Sequence, residues 1–339
     1  MRKLVSIIVP AYQEELRIER CLQSIFASTY PNLELIVVND GSTDNTEQVV
    51  QDFKKKNKSQ ATLLKLVTVP RGGAARARNY GLGLAEGDYI GFADADDMIH
   101  PEMIEKLADS LERGNDLSIC RLVFCDEAGK PKSCQYSQSR DSKKCPRQAL
   151  EMIMWEQVQM SLCSVLFRRE VIMEESGKPT ILCPEDVVAF EDFAFVCEYA
   201  SRCNGKMEKL PFDGYFYCKH RGSSSTGTYT AREICHALQP VLAVGERMGA
   251  GFTAHKLQYA FRFLAFWYEE ALRSSRDNFL PDSENWRICM EELERYADIF
   301  MSAPNVSLYK KAAMWIVRKH PSIGWVLANT LGRLIIGSL

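Results

Sequence analysis

The sequence predicts an α/β domain, a mainly parallel sheet with helices on both faces, followed by a helical C-terminal region. Two observations carry this. Short β-branched runs that are apolar almost throughout alternate with stretches whose apolar residues recur at helical spacing. Runs of that kind read as strands covered on both faces. Pro10, Asp40 and Asp94 close three of them, and ligands of open α/β sheets gather at the carboxyl ends of strands.

Val5-Ser6-Ile7-Ile8-Val9, ended by Pro10, is the first strand. From Arg17 to Ser28 the apolar residues Ile18, Cys21, Leu22, Ile25 and Phe26 mark a helix. Leu33 to Val38 is a second strand, closed by Asn39-Asp40-Gly41. Ser42 or Thr43 then caps a helix through about Lys56. A third strand spans Leu63 to Val69, a helix Ala74 to Ala85, and a fourth strand Tyr89 to Ala93. After Pro101 a helix runs to about Arg113, then a strand from Leu117 to Cys125. Asp126 to Arg147 is polar, with Gly129, Pro131 and Pro146, and reads as an excursion over the site. Ala149 to Gln159, Val188 to Ser201, Arg232 to Arg273 and the tail from Ala303 have helical patterns. The expected division is a catalytic domain over residues 1–228 and a helical region over 229–339.

Bulk composition excludes several classes. The 339 residues are 46% hydrophobic and 25% charged, as in an ordinary folded domain. A net charge of −2 gives no global basic field for nucleic acid. The 12 cysteines are irregularly spaced without a Cys-x-x-Cys pair, which disfavours zinc and suggests reduced thiols in a cytoplasmic protein. No signal peptide and no run of 18 uninterrupted apolar residues is evident. From Met301 onward no acid occurs, while Lys310, Lys311, Arg318, Lys319 and Arg333 are basic. Beside Trp315 and Trp325 this pattern suits a helix on an anionic membrane surface, or an apolar face packed on protein.

Phe92-Ala93-Asp94-Ala95-Asp96-Asp97 places three acids in four positions at a strand end. Like charges this close repel, and a divalent cation, Mn²⁺ or Mg²⁺, relieves the repulsion. Asp94 and Asp96 alternate along extended backbone, so both can face one way. Asp97 can alternatively be a helix cap. Glu191-Asp192 sits among Phe190, Phe193 and Phe195, surroundings that raise a carboxylate pKa and suit a general base. The pair also suits the positive end of a helix dipole.

These motifs, in this order, resemble family 2 glycosyltransferases of the GT-A fold over roughly residues 3–228. VSIIVPAYQEE resembles the first strand and loop, which implies nucleotide contacts at Pro10, Ala11, Tyr12 and Glu14. ELIVVNDGSTDNT implies that Asp40 holds the base or ribose. GAARARNYG matches G-x-x-x-A-R-N-x-G and implies that Arg78 and Asn79 lie near the nucleotide. GDYIGFADADD matches the acidic metal motif, with Asp96 and Asp94 as ligands and Ala95 beside the donor. Phe190-Glu191-Asp192 matches the pair whose aspartate is the base. YFYCKHRGSSST resembles the segment over the donor phosphates, which implies His220 on the metal and Arg221 on a phosphate. Two departures stand out: Arg71, still expected to contact the nucleotide-sugar, where the family often has Asn, and Cys163-Ser164-Val165-Leu166-Phe167-Arg168-Arg169-Glu170 without the usual Trp and Lys. The implied activity is inverting transfer from a UDP-sugar to a glycan or lipid-linked glycan. Two rivals are a sugar nucleotidyltransferase and a non-catalytic scaffold. The absence of glycine in Pro10-Ala11-Tyr12-Gln13-Glu14-Glu15 speaks against the first, and intact Asp96 and Asp192 against the second.

Overall fold

A computed structural model describes residues 2–57, 62–131, 150, 153–154, 161–203, 206–220, 229–249, 251–273, 283–304 and 306–324. The chain divides into two compact units, residues 1–186 with 191–227, and residues 187–190 with 228–339.

The first unit holds an eight-stranded sheet in the order β3-β2-β1-β4-β7-β6-β8-β5. Its strands are β1 (Val5–Ala11), β2 (Leu33–Asp40), β3 (Leu63–Val69), β4 (Tyr89–Phe92), β5 (Met98–Ile99), β6 (Asn115–Cys125), β7 (Val165–Arg168) and β8 (Lys206–Cys218). From β3 to β4 every pairing is parallel. β7 then runs antiparallel to both β4 and β6, β6 and β8 are parallel, and β5 is antiparallel to β8. The predicted parallel half is therefore present, and the far half is mixed. β1 and β2 are buried along their whole length, as their unbroken apolar runs require.

Helices α1 (Ile18–Phe26), α2 (Thr46–Lys56), α3 (Ala74–Leu84) and α4 (Met103–Glu112) connect these strands. α3 lies close on the sheet because Gly81 has no side chain: a Cβ there would sit 2.4 Å from Ile8 Cγ2. α2 starts two or three residues later than a cap at Ser42 or Thr43 predicts, with Asn45 at the cap position. The Ser42 hydroxyl instead accepts from Gln13 N at 3.1 Å, and Asp44 accepts from Thr46 N at 3.0 Å. A single turn, α5 (Arg169–Ile172), follows β7.

Helix α6 (Glu191–Arg202) begins where Phe190 adopts φ 65, a left-handed conformation that bulky residues rarely take. That turn explains why the predicted helix start at Val188 falls too early. Phe195 anchors α6 in the sheet, with ring centroids 5.5 Å from both Phe92 and Phe167.

The second unit contains α7 (Ala231–Arg247), α8 (Ala254–Arg273), α9 (Glu284–Ser302) and α10 (Leu308–Lys319). The single predicted helix over Arg232 to Arg273 is two helices, separated by Gly249 and Gly251 at φ 83 and 88. Thr230 and Glu233 form a reciprocal cap at the start of α7. Trp267, Phe263 and Tyr259 are buried in this unit, and the Trp267 ring lies 5.8 Å from that of Trp286. The excursion predicted from Asp126 lies mostly outside the described residues, as do most of Ala149 to Gln159 and the tail beyond Gly324. Among the described residues no helix is long and apolar enough to cross a membrane.

Candidate active site

The loop after β1 is tied to the loop after β2. Gln13, at φ 58, accepts through its amide oxygen from Thr43 N at 2.8 Å and Asp44 N at 3.1 Å. Glu14 N donates to Thr46 Oγ1 at 2.8 Å. These bonds fix the Glu14 carboxylate at the strand ends.

Asp40, at the end of β2, is buried. Its carboxylate accepts from Gly72 N and Gly73 N, both at 2.8 Å, and from Arg71 Nη1 at 2.9 Å. Gly41 has φ 67, and a Cβ there would meet Arg71 N at 2.9 Å, so the 71–73 loop packs directly over it. The Arg71 guanidinium lies 3.2 Å from the Tyr12 ring centroid. Tyr12 keeps 39% of its surface exposed, and the result is an open aromatic and cationic platform. Pro10, Ala11 and Ala95 are buried residues at these strand ends.

The acids after β4 separate into three environments. Asp94 accepts from Arg78 Nη2 at 2.8 Å, and Arg78 Nη1 donates to Glu191 at 3.0 Å. One buried guanidinium thus pairs with two of the predicted site acids. Asp97 is fully buried and is no helix cap. It accepts from the Tyr215 hydroxyl and from Cys218 N, both at 2.7 Å. Burial, then the charges of Asp94 and Asp96, push its pKa up to about 8. The Tyr215 hydroxyl also accepts from Asp94 N at 3.1 Å, which couples β8 to the acidic loop.

Asp96 lies 2.8 Å from His220 Nε2. Glu14, Asp96 and His220 each offer one ligand atom, all within 4.8 Å of one another. Of the predicted metal set of Asp96, Asp94 and His220, the structure brings Asp96 and His220 together with Glu14, whereas the Asp94 carboxylate faces Arg78. Burial, then the charge of Asp96, raises the Glu14 pKa. Burial, then the charge of Asp94, raises that of Asp96. Half-buried carboxylates destabilised by each other, with an imidazole beside them, suit a divalent cation by donor chemistry. Arg20 Nη2 supports this corner by donating to the Asp96 carbonyl at 2.9 Å.

Asp192 opens α6. Its Oδ1 accepts from Phe193 N at 2.7 Å, and among the described residues it forms no ion pair. Desolvation, then the neighbouring Glu191 charge, raises its pKa. Asn79 is not aimed at the strand ends. Its amide bonds to Cys183 and Glu185. Arg221 lies outside the described residues. Glu14 as a partner of Asp96, Tyr215 as a strut and Arg20 as a backbone anchor were not singled out for these roles from sequence. Only the position of Tyr215 within the YFYCKH motif could have signalled one of them.

A parallel sheet half with an acid group and an aromatic platform at its strand ends is the GT-A arrangement. The sequence profile described as "Glycosyl transferase family 2" matches residues 6–174, and the chain belongs to that family. The uncharacterized glycosyltransferase EpsJ of Bacillus subtilis is 38% identical over 124 residues, 37% of this chain and 35% of that protein. The poly(ribitol-phosphate) beta-N-acetylglucosaminyltransferase TarS of Staphylococcus aureus is 27% identical over 264 residues, 76% of this chain and 43% of TarS. Matched regions thus span about a third to two-fifths of these relatives' lengths. A crystal structure of S. aureus TarS residues 1–349 in complex with UDP-GlcNAc superposes with a TM-score of 0.69 and 19% identity, covering 97% of this chain and 91% of that one. This last likeness establishes the fold.

Proposed function

We propose that this chain is a metal-dependent, inverting glycosyltransferase that moves a sugar from a UDP-sugar to a hydroxyl of a glycan or lipid-linked glycan. The observation that carries this reading is how the acids divide. Arg78 pairs with Asp94 and Glu191, which leaves Asp96 with Glu14 and His220 for a cation, and Asp192 as a base outside any ion pair among the described residues. TarS is named for N-acetylglucosaminyl transfer and binds UDP-GlcNAc, which supports a UDP-sugar donor.

In this reading Tyr12 and Arg71 sandwich or flank the nucleobase, and Asp40 holds the loop that carries Arg71. Glu14, Asp96 and His220 hold Mn²⁺ or Mg²⁺, which when bound supplies positive charge to the leaving diphosphate. Asp192 takes the proton from the acceptor hydroxyl as its oxygen bonds to the anomeric carbon. The bond from that carbon to the diphosphate oxygen breaks on the opposite face, and configuration inverts. Its raised pKa makes the Asp192 carboxylate a stronger base than an exposed one. The test is product stereochemistry by proton NMR together with UDP titration with and without Mn²⁺. A retained anomer, or UDP affinity equal with and without metal, refutes the proposal.

A second element concerns placement. α10 buries Ala313, Met314 and Val317, while Leu308, Trp315 and Ile323 are 84%, 48% and 54% exposed. At helical spacing Leu308, Lys311, Trp315 and Lys319 share a side, and no acid follows Met301. This basic, apolar stripe complements an anionic lipid surface. Vesicle flotation of the full chain tests it. Binding to anionic vesicles at low salt should fall in K311E/K319E and W315S, and no flotation of the wild type removes it.

A further inference from the structure

We propose that Asn79 is a positioning residue for the base segment. It would clamp the chain that leads into Asp192, which departs from the nucleotide contact that its motif implies. The inference rests on the reading of Asp192 as the base.

The bonding capacity of the Asn79 amide decides the matter. Its Nδ2 donates to the Cys183 carbonyl at 2.8 Å and to Glu185 Oε1 at 2.9 Å. Its Oδ1 accepts from Cys183 N at 2.8 Å. A primary amide has two donor hydrogens, and both are in use. A phosphate needs donors, so Asn79 has none left for a diphosphate. The two opposed bonds to Cys183 instead imitate a rung of sheet and fix both backbone polar groups of a buried residue.

Nine positions separate Cys183 from Asp192, and the tip of that loop, residues 187–190, belongs to the second compact unit. The first unit holds the loop on both sides of the tip with adjacent residues of α3. Asn79 grips Cys183 and Glu185 before the tip, and Arg78 grips Glu191 after it. Upstream, Arg202 at the end of α6 donates to Thr180 Oγ1 at 2.9 Å and to the Thr180 carbonyl at 3.1 Å. α3 itself is seated on Ile8 and Val38 through Gly81. The base is thus referenced to the same strands that carry the nucleotide platform. A misplacement of about 1 Å at a reacting group costs on the order of 10²-fold in rate, which gives such a clamp a catalytic consequence.

The experiment compares Asn79→Ala, Asn79→Asp and the double variant N79D/E185Q with the wild type. Asp at 79 keeps the acceptor for Cys183 N but faces Glu185 with like charge, and Gln at 185 restores a donor there. Three quantities are read: amide hydrogen exchange of the peptide over residues 183–193, UDP affinity with Mn²⁺, and kcat for UDP release from UDP-GlcNAc with water as acceptor. N79A and N79D should accelerate exchange in that peptide about tenfold or more and lower kcat comparably. UDP affinity and donor KM should stay within about twofold, and N79D/E185Q should recover the part of both losses that comes from the Glu185 contact, the bond to the Cys183 carbonyl staying broken. Unchanged exchange in both single variants overturns the clamp. So does UDP affinity falling in step with kcat, which would make Asn79 a nucleotide contact. Asp192→Asn, run in parallel, separates the two ideas. Full turnover there defeats the base assignment, whereas lost turnover there with normal turnover in N79A and N79D defeats the clamp alone.

Discussion

Replacing Asp40 with Asn tests what this buried acid does. Sequence resemblance assigns it to the base or ribose, while its carboxylate accepts from Gly72 N, Gly73 N and Arg71. An amide in its place has one carbonyl oxygen. The better orientation keeps that oxygen toward Gly73 N and Arg71 and turns the NH₂ toward Gly72 N, where donor faces donor. One charge-assisted hydrogen bond is lost, worth about 1.5–3 kcal/mol. The Arg71 pair adds at most about 1 kcal/mol, because Arg71 is 53% exposed. Gly72 is exposed to water, which favours the lower end, so the expected destabilisation is about 1.5–2.5 kcal/mol. Urea unfolding of D40N against wild type measures it. The loop carrying Arg71 should loosen at the same time, and UDP affinity should fall with it. Stability unchanged within about 0.5 kcal/mol while UDP binding vanishes would refute this reasoning. Asp40 would then be a direct nucleotide ligand with no part in holding the loop.

Three further outcomes follow from the site. Asp96→Ala should abolish the metal dependence of UDP binding and lower transfer by roughly 10³-fold; calorimetry with and without Mn²⁺ checks this, and full activity in chelator contradicts it. With Asp192 as the proposed base and its pKa raised by burial, kcat/KM should fall as pH drops through a value above the usual ~3.9 of aspartate; a profile flat down to pH ~4 would count against that role. Phe195→Ala should cost about 3–5 kcal/mol of stability, because the ring is fully buried against Phe92 and Phe167; thermal melting reads the loss.

Much of the parallel half was legible because it obeys local rules. The apolar runs of β1 and β2 suit the inside of a covered sheet, while β3 is the half-exposed edge strand, and the ends of all three fell within two residues of the prediction. Asp94, Asp96 and Asp192 were legible as chemistry because acids beside apolar runs are costly without a partner. Their division of labour was not legible. Whether Asp94 meets a metal or Arg78 depends on the seating of α3 against the sheet, a tertiary fact set by Gly81 and Ile8. Glu14 likewise reaches Asp96 only through the bonds that tie its loop to Thr43, Asp44 and Thr46. β8 was missed as a strand because Pro211, Asp213 and Gly214 interrupt its pattern, and the irregular pairing with β6 shows the same interruption in space. Phe190 gave no warning of its left-handed turn, since nothing in a phenylalanine favours that conformation.

The central claim is that Asp192 and the Glu14, Asp96 and His220 group serve one metal-dependent transfer reaction. A panel of UDP-sugars, followed by UDP release with Mn²⁺ or Mg²⁺ for wild type and Asp192→Asn, tests it most directly. At least one donor should give metal-dependent release by the wild type, reduced about 10²- to 10⁴-fold in D192N with UDP affinity retained. Wild-type protein that neither binds UDP nor releases it from any donor in the presence of metal would contradict the account.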